Sequence, residues 1–149
     1  MPSYPFLRTD AGRSQSKRPK QKNDCTVRAL ALTFDLSYDD AYDLLHQNGR
    51  RSGRPFPFPA WIQHAPLGQS LLWHSFPAVK GELRMRIATF CRLHPAGSWI
   101  LLKSKHIFAV HNGVVLDEDA PRDNCCIYGA WEVIQSGGWN PNPLKGHPQ

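Results

Sequence analysis

The chain reads as an α+β domain in which N-terminal helices pack on a C-terminal antiparallel sheet. Three observations give that class. Apolar residues between Thr26 and Leu45 recur at helical spacing. The segments "SWILLKS", "HIFAVHNGVVLD" and "CIYGAWEVI" are rich in β-branched and aromatic residues, with turn signals between them. Asn112-Gly113 stands between two apolar runs, the favoured turn of a two-residue hairpin. With 149 residues, 41% of them hydrophobic, the chain can bury one core of ordinary domain size.

Residues 1–20 are polar, basic and rich in Pro, Ser and Gly, and are expected to form a basic flexible N-terminal arm. Arg8, Arg13, Lys17, Arg18 and Lys20 supply much of a formal charge of +6. Weak nucleic-acid binding through this arm is therefore one expected interaction. Residues 21–136 are expected to form the folded domain, and residues 137–149 a coil tail.

Within the domain, Val27, Leu30, Ala31 and Phe34 lie on one stripe of a first helix, with Asn23 or Asp24 as N-cap. Ser37 and Asp40 open a second helix as an approximate capping box. Ala41, Leu44 and Leu45 form its apolar face, and Gly49 ends it. "RRSGRPFPFPAW" reads as a loop anchored by Phe56, Phe58 and Trp61. Residues 62–80 carry no dominant period, and "SLLWHSF" fits a short strand or a helical turn. Residues 82–94 read as a third helix with Leu83, Ile87, Phe90 and Cys91 inward. The strands follow.

No segment approaches the roughly 18 apolar residues of a membrane span, and the N-terminus lacks a secretory apolar run. The expected location is a cytoplasm, with no membrane partner. Cys25, Cys91, Cys125 and Cys126 fit neither a disulfide scaffold nor a zinc-binding pattern, so four free thiols are expected and no metal.

One cysteine is oddly placed. Cys25 stands at the start of the first helix and not inside its apolar run. Unsatisfied N–H groups and the helix dipole favour a thiolate there. A two-residue hairpin loop pairs His111 with Val114, Val110 with Val115 and Ala109 with Leu116. His106, Phe108, Asp117 and Asp119 then share a face, and Asp117 is the diagonal neighbour of His106. A carboxylate beside an imidazole orients it and raises its basicity. The expected arrangement is Cys25 as nucleophile, His106 as base and Asp117 as the orienting acid. His111 competes for the base, and Asp119 and Asn112 for the third position. The Cys25 N–H and a side-chain donor, Gln21 or else Asn23, would meet an oxyanion.

Together "QKNDCTVRALAL", "SYDDAYDLL", "GSWILL" and "HIFAVHNGVVLD" resemble the papain-like cysteine peptidase superfamily over about residues 21–133. The likeness is greatest to the bacteriocin-processing, double-glycine peptidases and the small related proteins of phages and prophages. The resemblance implies a two-lobed cleft, a Cys25–His106–Asp117 triad, a protein or peptide substrate and no cofactor. For a phage-encoded chain it implies the bacterial host cytoplasm. Two positions depart from that branch: Gln21 stands four residues before the cysteine, where five or six is usual, and Thr26 replaces the glycine that commonly follows it. A second reading keeps the scaffold without catalysis. The chain would then bind a host protein or nucleic acid through the basic arm and the "RRSGRPFPFP" loop.

Overall fold

A computed structural model describes residues 2–134. The expected coil tail at 137–149 lies outside them. The described residues form four α-helices and one six-stranded mixed sheet, an α+β arrangement.

Helix α1 (Cys25–Thr33) buries Val27, Leu30 and Ala31 along the predicted stripe. Asp24 takes the N-cap position but makes no capping hydrogen bond, because its carboxylate is turned to other partners. Helix α2 (Tyr38–Gln47) starts as expected, with Ser37 Oγ accepting the Asp40 N–H at 3.0 Å. Its end is set by Gly49, whose φ of 103° suits glycine. The Gly49 N–H reaches the His46 carbonyl and the Arg50 N–H reaches that of Leu45, so the last carbonyls of α2 are satisfied. The loop that follows contains a short helix, α3 (Phe58–Ile62), and buries the expected anchors Phe56 and Phe58.

Strand β1 is Phe6–Arg8, β2 is Leu71–Ser75 and β3 is Ser98–Lys103. Strands β4 (His106–His111), β5 (Val114–Asp117) and β6 (Gly129–Val133) complete the sheet. Its order is β1-β5-β4-β3-β6-β2. Every neighbouring pair is antiparallel except β1 with β5. The β4–β5 register is the predicted one, His111 with Val114 through Ala109 with Leu116. Asn112 and Gly113 both have positive φ, 50° and 76°, as a type I′ turn requires.

Side chains alternate across this sheet. Ile100, Ile107 and Trp131 pack against α1, α2 and α3, while Trp99, Leu101, Phe108 and Val110 pack with Ile87, Phe90 and Cys91 of helix α4 (Ile87–Leu93). The sheet is thus covered on both faces.

Three expectations are corrected. The segment 1–20 is not a free arm in this structure. Its residues Phe6–Arg8 extend the sheet in parallel with β5, Tyr4 is buried, and Arg13 and Arg18 pair with carboxylates. A three-residue strand is too short to show a period, so composition alone suggested disorder. The helix expected over 82–94 begins only at Ile87, and Leu83 is 96% exposed. Residues ahead of α4 are extended instead: Arg86 bridges to Cys126, and the Ile127 N–H bonds to the Met85 carbonyl. Finally, the strand segment read from Cys126 onward starts only at Gly129, and Cys126 makes an isolated bridge ahead of it.

Candidate active site

Cys25 is the first residue of α1, and the first N–H groups of a helix have no intrahelical partner. α1 packs across β4, which brings its N-terminal end to the start of that strand. There the His106 side chain and the Ile107 backbone amide lie close enough to the Cys25 thiol to favour its thiolate. His106 is the first residue of β4, preceded by Lys105 in a left-handed turn with φ 58°. Its Nε2 lies 2.7 Å from Asp117 Oδ2, which leaves Nδ1 as the ring nitrogen for the thiol. Phe108 stacks beside the imidazole, ring centroids 5.8 Å apart. His106 is thus bonded to Asp117 and stands beside Cys25, so the three residues lie in one row.

The rival residues lie elsewhere. Asp119 is exposed and pairs with Arg8 at 2.9 Å. Asn112 Oδ1 accepts the Gly97 N–H in the turn, and His111 Nδ1 sits 2.7 Å from Ser98 Oγ.

The electrostatics favour a thiolate–imidazolium pair. Burial works against the Cys25 thiolate, but the hydrogen bonds from His106 and the Ile107 N–H, with the charges of His106 and Arg28, outweigh it and lower the pKa. Burial likewise opposes charge on His106. The Asp117 and Cys25 hydrogen bonds and their charges prevail and raise its pKa to about 9. Asp117 is 3% exposed, yet its pKa is lowered: burial opposes the charge, and His106 and Arg28 overcome that. By contrast burial alone pushes Cys91 up to about 11, as in an inert core thiol.

A buried polar network supports this row, and sequence reading missed it. Asp117 Oδ1 accepts from Arg28 Nη1 at 2.6 Å and from the Glu118 N–H at 2.8 Å. Arg28 Nε also donates to Asp24 Oδ1 at 3.1 Å, and Tyr38 Oη donates to Asp24 Oδ2 at 2.8 Å. Arg13 binds both Asp24 and Glu118. The available signal was Arg28 itself, a charge three residues after Cys25 within an apolar helical run.

Gln21 and Asn23 line the same cavity as Cys25 and His106, about 420 Å³ in volume, with Pro55 and Lys105 on its wall. Gln21 Oε1 accepts from Arg50 and from the Gly53 N–H, and its Nε2 donates to Ser52 Oγ at 3.1 Å. Asn23, at φ 52°, gives its side-chain N–H to the Gly53 carbonyl at 2.8 Å. A larger groove, about 630 Å³, runs along β2 past Leu71, Trp73 and Trp131 and includes none of the three aligned residues. Among the described residues no group of three His, Cys, Asp or Glu side chains is placed to hold a metal ion. No helix among them is long and apolar enough to cross a membrane.

No family model, curated protein or solved structure matches this chain. The functional reading therefore rests on the site itself.

Proposed function

We propose that the chain is a papain-like cysteine peptidase or related thiol acyl-hydrolase acting on a protein or peptide, of the kind found in phages and prophages. The observation that carries this reading is the His106–Asp117 pair at 2.7 Å on the same cavity as Cys25, with His106 close enough to favour the Cys25 thiolate. The cavity between α1 and the β3–β4 turn would be the cleft of a two-lobed peptidase.

In this mechanism the Cys25 thiolate attacks the substrate carbonyl carbon. Its oxygen becomes an oxyanion, met by the Cys25 N–H and by the Gln21 amide. The tetrahedral species collapses as His106 gives its proton to the leaving amine, and a thioester remains on Cys25. Neutral His106 then takes a proton from water, which attacks the thioester. The acid departs and the ion pair is restored. Asp117 holds the ring so that the nitrogen opposite Nε2 faces the sulfur.

An amine-displacing acyl probe tests the reading. It should form a thioester on Cys25 and on neither Cys91 nor Cys125, and His106→Ala should reduce labelling at least about a hundredfold. Equal labelling of Cys125, with no effect of the histidine change, would sink the proposal. The nucleic-acid reading is weakened because Arg13 and Arg18 are already committed to carboxylates.

A further inference from the structure

We propose that Arg50 is a positioning residue for oxyanion stabilisation: it fixes the Gln21 carboxamide so that nitrogen, not oxygen, is available to the cavity beside Cys25. This rests on the acyl-transfer reading above.

Arg50 is unusual in its surroundings. It is 3% exposed, and among the described residues no carboxylate pairs with it. Its Nη1 donates to Gln21 Oε1 at 3.2 Å. Its Nη2 reaches the carbonyls of Lys22 and Asn23, at 3.0 and 3.3 Å, and its Nε has no partner. The Tyr42 ring lies 5.2 Å from the guanidinium carbon. A buried guanidinium without a counter-ion is costly, and an apolar side chain would serve packing alone at lower cost. What the guanidinium does instead is grip residues 21–23, the three that lead into Asp24 and Cys25.

The grip has a chemical consequence for Gln21. An arginine guanidinium and a backbone N–H are donors only. Arg50 Nη1 and the Gly53 N–H both converge on one end of the Gln21 amide, so that end must be Oε1. The other end is then Nε2, with two N–H groups, of which Ser52 Oγ accepts one. The second is the one this proposal gives to a substrate oxyanion, since Gln21 lines the same cavity as Cys25. Without Arg50 the oxygen keeps only the Gly53 N–H as a donor, so the amide is held less firmly against turning its oxygen toward the cavity, where it would repel the developing negative charge. Arg50 itself is placed by the end of α2, where its own N–H bonds to the Leu45 carbonyl. The length of that helix thus sets the geometry in front of the nucleophile.

The test compares two reactions of Cys25 in the full chain. Alkylation by iodoacetamide needs the thiolate but forms no oxyanion. Acylation by an activated ester passes through one. Arg50→Met should slow acylation by at least about tenfold, toward the loss expected for a missing oxyanion donor, and change alkylation by less than about twofold on the same scale of comparison. Arg50→Lys should recover part of the acylation rate. Gln21→Glu gives Arg50 a counter-ion and removes the donor, so its acylation should fall while its melting temperature does not. That variant keeps the test decisive if Arg50→Met folds poorly. If acylation and alkylation fall together, or if acylation is unchanged in Gln21→Glu, the inference is overturned while the hydrolase reading stands. A parent chain that is alkylated at Cys25 but never acylated overturns both.

Discussion

Arg28 Nη1 lies 2.6 Å from Asp117 Oδ1, on the carboxylate whose other oxygen faces His106. The same helix therefore supplies both the thiol at one end of the row and the cation behind its other end. Arg28 also holds Asp24, so one guanidinium bridges two buried acids. Removing it leaves carboxylates buried without sufficient charge. Arg28→Met is expected to lower stability by about 3–5 kcal/mol, with Arg28→Lys intermediate because an ammonium cannot present a planar fork. Thermal and urea unfolding check this, and a loss under about 1 kcal/mol would show that the acids find water or protons instead.

Alkylation of Cys25 should report the ion pair as a function of pH. The thiolate is favoured by His106, so the rising step in alkylation rate lies below the ordinary thiol value of 9.0. In His106→Ala only burial and the remaining donors act, and the step should move up. Rates measured by mass spectrometry from pH 4 to 10 decide it, and an unmoved step would break the assigned coupling.

Acid should unfold the protein through Asp24 and Asp117. Both have folded-state pKa values below the ordinary 3.8: burial opposes ionisation in each, but Arg28 prevails together with Tyr38 and Arg13 for Asp24 and with His106 for Asp117. Their stabilisation is complete above pH 3.8 and is lost as pH falls through the folded values. Urea midpoints should hold steady down to about pH 4 and drop steeply below it. In Asp117→Asn the drop should be shallower.

Deletion of residues 1–16 should damage the domain and not merely shorten it. The Val115 N–H bonds to the Pro5 carbonyl and the Thr9 N–H to the Asp117 carbonyl, each at 2.9 Å. Tyr4 is buried in the core beneath β5, where loss of a large aromatic costs about 3–5 kcal/mol. The truncated chain should melt earlier, and the Val115 amide should lose hydrogen-exchange protection. Unchanged protection would restore the view of this segment as a loose arm.

Much of the architecture was legible because it depends on local chemistry. Asn112-Gly113 sets the turn, the turn sets the register, and the register puts His106 beside Asp117. Ser37 and Gly49 bound α2 through hydrogen bonds to nearby residues. Contacts made over long sequence separations were not legible. The reach of Arg28 to Asp117 spans 89 positions and that of Arg13 to Glu118 spans 105. Nothing in residues 82–86 announces that pairing with 126–127 will override a helical pattern. Gln21 was read by residue type, while the grip of Arg50 on it appears only once α2 and the segment 21–23 are packed together.

The parallel pairing of β1 with β5 joins an early strand to a late one. A ribosome releases Cys25 long before it has made His106 and Asp117. Until the hairpin emerges, the thiol has no imidazole partner, and β1 has no strand to join. The nascent chain thus carries the thiol without its imidazole neighbour, and the closing of the sheet edge and the arrival of that neighbour belong to the same late stage of synthesis.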